Sequence, residues 1–146
     1  MKSRILMAGL AGGVAEIVWV FAYGAFTPVS AAEVAREVTA SLLPGAASWT
    51  AAAALGVAIH LALSIALAYA FVAWLERLLP GTRGAARHIA IAVGALAGVW
   101  AINFLVVLPL VNPRFVTLMP YAATFLSKAL FGAVMGAVLA RTAPRR

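Results

Sequence analysis

Four stretches of the chain are almost unbroken runs of apolar residues: about Ile5 to Phe26, Ala51 to Leu75, Ile89 to Val111 and Tyr121 to Ala140. A membrane-spanning helix needs about 20 such residues, and each run is long enough. Turn signals bracket them. Thr27-Pro28 follows the first, Pro80-Gly81 the second and Asn112-Pro113 the third, while Pro120 sits where the first turn of the fourth tolerates it. The runs lack the strand-like alternation of lumen and lipid positions, which excludes a small barrel. Between the first two, Ser30 followed three residues later by Glu33 forms a capping-box pattern, and Pro44-Gly45 stops the segment. Ala31, Val34, Ala35, Val38 and Leu42 recur on one helical face, with Glu33, Arg36 and Glu37 opposite. This predicts a short amphipathic helix over residues 30–43 that lies flat on the outer membrane surface. The pattern as a whole predicts an all-α polytopic membrane protein. Residues 1–146 form one membrane domain, a four-helix transmembrane bundle with the short outer helix between spans one and two.

Composition agrees: 65% of the 146 residues are hydrophobic and 10% are charged, against about 25% charged in soluble domains. The net charge of +7 is unevenly placed. Lys2, Arg4, Arg77, Arg83, Arg87, Arg141, Arg145 and Arg146 flank one side of the spans, with Glu76. Arg36 and Arg114 on the other side are balanced by Glu33 and Glu37. Basic flanks stay in the cytoplasm, so both termini are expected there. The orientation rule accounts for the arginines, which argues against a nucleic-acid partner and for weak attraction to anionic lipid. Lys2 and Arg4 before an apolar run, then Val29-Ser30-Ala31, also fit a cleaved signal peptide. The run is, however, longer than the usual 7 to about 15 residues and contains Glu16.

Close helix approach in lipid relies on small residues. Gly9 with Gly13, Gly94 with Gly98, and Gly132 with Gly136 are pairs four apart, and span two offers Ala62, Ala66 and Ala70. All three glycine pairs fall in the cytoplasmic half, where the helices are expected to converge. Three such pairs also leave room for a homo-oligomer or a partner in a membrane complex. The polar residues of the spans fall elsewhere. Glu16, His60, Asn103 and Lys128, one per span, lie about 11 to 15 Å below the outer boundary at helical rise. Such groups usually face the bundle interior or a hydrated cavity, so this layer is the candidate ligand site. Trp19 and Trp100, one turn from Glu16 and Asn103, either line it or pack in the interior. An ion pair between Glu16 and Lys128 would relieve the cost of both. His60 reads either as a proton relay or as a neutral, hydrogen-bonded residue. Ser64, a turn from His60, lacks a nucleophile elbow and reads better as bonding back to a helix carbonyl.

With no aspartate or cysteine, and only His60 and His88 as histidines, aspartyl dyads, zinc-protease motifs and thiolate sites are excluded. No phosphate-binding loop is present, no cofactor is called for, and an enzyme is not expected. His60, Asn103-Phe104, Pro109-Leu110, Asn112-Pro113 and Pro120-Tyr121 together resemble the YagU-like family of bacterial inner-membrane proteins over the second half of the chain. The resemblance implies a multi-span protein of the bacterial cytoplasmic (inner) membrane with a link to acid-stress survival. Four short spans with Glu16 in the first resemble, in architecture, the small multidrug resistance family. That implies a proton-coupled carboxylate, with Trp19 or Trp100 contacting cationic aromatic compounds. The outer loop is longer than that family's, and Lys128 competes for Glu16. Two functions follow: a non-catalytic accessory or stress-related membrane protein whose polar layer fixes packing, or a small proton-coupled transporter or permease that titrates Glu16.

Overall fold

A computed structural model describes residues 2–78 and 84–142. The Pro80-Gly81 turn and Arg83, Arg145 and Arg146 of the basic flank lie outside the described residues. Among those described, all regular structure is helical: α1 (Lys2–Gly24), α2 (Ala31–Leu42), a 3-10 turn (Pro44–Ala46), α3 (Ala52–Leu78), α4 (Ala85–Ile102), a π turn (Asn103–Val107), α5 (Leu108–Val111), α6 (Pro113–Leu118) and α7 (Tyr121–Arg141). α4, the π turn and α5 form one continuous rod, so four helical rods are long and apolar enough to cross a membrane. The π turn has a local cause. Pro109 has no N–H for the carbonyl of Leu105 and its ring crowds that carbonyl, and the Leu108 N–H reaches back to Asn103 instead.

Packing order is α3, α1, α7, α4. α7 packs along both α4 and α1, and α1 along α3. Toward the end that holds the two termini, Ile5, Ala8, Ala68, Phe71, Ala92, Leu96, Phe131, Met135 and Leu139 form the main apolar core. Glycine sets the closest approaches. A Cβ on Gly9 would meet the Ile65 Cα at 2.7 Å, and one on Gly13 the Ser64 hydroxyl at 2.6 Å. On α7, Gly132 and Gly136 seat the α4 backbone at Val93 and Ile89, 2.8 and 2.9 Å from the same added atom. Gly12, not singled out by the sequence, lies under the Phe131 ring.

Two of the expected small-residue faces are not used within the chain. Gly94 and Gly98 are exposed, and a Cβ added at either would meet nothing within 4 Å among the described residues. One glycine face suffices for a close crossing, and α7 supplies it while α4 presents Ile89, Ala92 and Val93. Ala62, Ala66 and Ala70 are likewise exposed. α3 buries Ala52, Gly56, Ser64 and Ala68 instead, a face about 160 to 200° away around the helix. In a helix this rich in alanine, small residues recur four apart on more than one face.

The outer helix forms as expected, with the Ser30 hydroxyl accepting the Glu33 N–H at 3.0 Å. It buries more than the one apolar face that the pattern gives. One flank packs on α3, where the Ala35 carbonyl sits against Gly56 and the Thr39 hydroxyl donates to the Ala52 carbonyl at 2.6 Å. Its other flank meets Asn112 and α6. Gripped by two elements, it buries a wider arc than one face. Glu37, assigned by pattern to the water-facing side, is therefore 6% exposed, while Leu42 at the helix end is exposed.

Gly9→Ala and Gly132→Ala are expected to lower thermal stability in detergent or bilayers, because each added methyl meets backbone; overpacking of this kind costs about 1–3 kcal/mol. Gly94→Ala and Gly98→Ala, with open space at the Cβ position and a gain in helix propensity, should leave it unchanged or raised. Equal losses at all four positions would contradict the packing order.

Candidate functional site in the bundle interior

The middle of α1 carries Glu16, which is 4% exposed. Its burial follows from the neighbouring turn: Gly12 and Gly13 let α7 and α3 come close enough to surround the carboxylate. From α7, the Lys128 ammonium donates to Oε2 at 2.7 Å and the Ser127 hydroxyl donates to Oε1 at 2.9 Å. From α3, His60 Nε2 lies 3.7 Å from Oε2 and 3.2 Å from the Gly13 carbonyl. Both carboxylate oxygens are thus engaged, and three helices meet on one side chain. Lys128 also stands 5.5 Å from the Phe131 ring centroid, a distance at which a cation gains from the ring face. His60 and Lys128 keep side-chain exposures of 21% and 15%.

Glu16, His60 and Lys128 therefore come together at one depth, as their spacing along the spans predicts. Asn103 does not join them. It opens the π turn, is half-buried, and has no side-chain hydrogen bond among those found for the described residues. Ser64 donates to the His60 carbonyl at 2.8 Å, the back-bonding of a membrane serine, which also braces the His60 turn. Trp19 donates to the Ala123 carbonyl at 3.1 Å and so ties α1 to α7 above the cluster. Trp100 donates to the Thr124 hydroxyl at 3.0 Å and packs edge-on against Phe125 and Tyr121, with ring centroids 5.2 and 6.0 Å away. Both tryptophans are packing residues with satisfied N–H groups. Ser127 escaped notice in the sequence, although its position immediately before Lys128 puts it on the edge of the same helical face.

A second polar cluster lies at the end that holds α2 and α6. Asn112 caps α6, its Oδ1 accepting the Phe115 N–H at 3.2 Å, and its Nδ2 donates to Glu37 Oε2 at 2.9 Å. Arg114 stands astride two acids, Nε at 3.2 Å from Glu37 and an outer guanidinium nitrogen at 3.3 Å from Glu33. These groups line a surface groove together with Arg36. Asn112-Pro113 reads in sequence only as a turn. An Asn directly before Pro at the first helical position is also an N-cap signature, which was the available clue.

Chemically, the interior cluster is a satisfied ion pair with a histidine beside it. Among the described residues no three of His, Cys, Asp and Glu lie together as metal donors. Four apolar spanning rods and an interior charge network define a multi-pass helical membrane protein. No family model, curated protein or solved structure matches the chain.

Removing one partner of a buried pair strands the other charge, at about 3–5 kcal/mol in soluble proteins. Glu16→Gln and Lys128→Met are each expected to reduce folded yield and melting temperature, and the double variant to recover most of the loss. Two independent, additive losses in the cycle would contradict a direct pair.

Proposed function

We propose that this is a small, non-catalytic multi-pass protein of a bacterial inner membrane, with an accessory or stress-related role, in which the interior cluster fixes helix packing. The observation that carries this reading is the saturation of Glu16. Both oxygens hold donors, one of them a permanent cation, so the side chain is fully occupied in tying α1 to α7. The resemblance of the second half to YagU-like proteins supports the stress-related assignment. The basic flanks support an orientation with both termini in the cytoplasm. Partners then meet the protein through lipid-facing surfaces, Gly94 and Gly98 among them, or through the outer helix.

One observation favours the transporter reading instead. His60 stands beside Glu16 without displacing Lys128, giving the cluster a titratable neighbour through which a proton or a small cationic ligand would be exchanged.

Proteoliposomes loaded with a pH dye separate the two. The packing reading expects no proton flux above empty vesicles, with or without lipophilic cations outside, for the wild type and for any folded Glu16→Gln protein. Flux in the wild type that is lost in Glu16→Gln and His60→Ala would overturn it in favour of transport.

A further inference from the structure

Each helix that contributes to the interior cluster is covered one turn further toward the α2–α6 end. On α1, Val20 follows Glu16 by four residues and packs with Val34 of α2 and Met119. On α7, Ala123 precedes Ser127 by four and belongs to the same apolar cluster, which Phe115 and Leu118 of α6 complete. On α3, Gly56 precedes His60 by four, and its bare backbone receives the Ala35 carbonyl of α2. Toward the other end, the main core with Ile5, Phe131 and Met135 closes the bundle. These two plugs separate Glu16 from the two ends of the spans.

The plugs differ in how they are held. The core at the terminal end is built of apolar side chains, with the Arg4 Nε, next to Ile5, buried beside them. The cap is fastened across its own middle by polar groups: Glu37 to Asn112, and Arg114 to Glu37 and Glu33. Separating α2 from α6 exposes groups that water satisfies, whereas opening the main core exposes chiefly apolar side chains that it does not. Arg114 is 71% exposed and its Glu33 partner 38%, so that pair is screened and readily exchanged for solvent. Two short connections, with Pro28 in the first and Pro44-Gly45 in the second, join α2 to the spans.

We infer that α2 and α6 form a latched gate over the Glu16–Lys128–His60 cluster, with Arg114 as the latch and water as what it admits. The purpose of such a gate rests on the proton-linked reading above; its existence does not. Opening moves α2 off α6 and breaches the Val34–Met119–Ala123 plug, while the core at the terminal end stays shut.

The chain contains no cysteine, so single introduced thiols report access cleanly. Ser127→Cys lies beneath the cap and Ser48→Cys outside it, and both are exposed to a membrane-impermeant thiol reagent in proteoliposomes. Ser127→Cys should label about a hundredfold more slowly than Ser48→Cys, as for a minor open state. Adding Arg114→Ala or Asn112→Ala should speed Ser127→Cys about tenfold or more and leave Ser48→Cys unchanged, with Arg114→Lys giving a smaller rise. Labelling of Ser127→Cys that is as fast as Ser48→Cys with the latch intact, or indifferent to all three substitutions in folded protein, overturns the gate. Should the latch variants not fold, rising salt on the intact latch decides. Salt that speeds Ser127→Cys alone supports the gate, and no effect refutes it. Labelling needs no proton gradient. Latch-dependent labelling without flux removes the transport reading and keeps the gate, and flux with latch-independent labelling does the reverse.

Discussion

A carboxylate in the middle of an apolar slab must find a cation and hydrogen-bond donors or give up its charge, and helices that carry such donors are held to it. Glu16 imposes that constraint here. Lys128 and Ser127 answer it from α7, and His60 approaches from α3. The pair fixes the rotation of α1 and α7 as well as their contact, because only one face of each helix presents these residues. In lipid, where no hydrophobic force draws helices together, such a directional contact does what an apolar seam does in water.

The glycines make the contact possible. Gly9 and Gly13 bring α3 against α1, Gly12 admits Phe131, and Gly132 and Gly136 bring α4 against α7. Without these approaches the short Glu16 side chain would not span the gap between rods. Polar cluster and glycine seats are thus two parts of one arrangement: close backbones below, a shared carboxylate above, and an apolar cap beyond it. The cap carries its own polar fastening where it meets water. There, side chains such as Arg114 and Glu33 are individually weak partners, and Glu37 is the buried anchor.

Much of this was legible in the sequence, for identifiable reasons. Long apolar runs with prolines at their ends define spans irrespective of tertiary detail, and Glu16, His60 and Lys128 fall at one depth because helical rise converts residue number directly into depth. Direction around the helix axis is harder to read. Asn103 has the right depth and does not join the cluster. Gly94 and Gly98 have the right spacing and sit on an unused face. Ala62, Ala66 and Ala70 lie opposite the buried side of α3, because alanine-rich helices offer several small faces and spacing alone does not choose among them. Glu37 was missed for a related reason: amphipathic pattern finds one packing face, whereas α2 has two, the second created by a cap at Asn112 that is distant in sequence.

The central claim is that Glu16 is held as a carboxylate in direct contact with the Lys128 ammonium inside the membrane. The most direct measurement is solid-state NMR in bilayers, recoupling the side-chain carboxyl carbon of Glu16 with the Lys128 side-chain nitrogen. This account predicts a strong dipolar coupling, that of a hydrogen-bonded pair with nitrogen and oxygen 2.7 Å apart, and a carboxyl shift in the ionised range. No coupling, or a carboxyl shift in the protonated range, would contradict it.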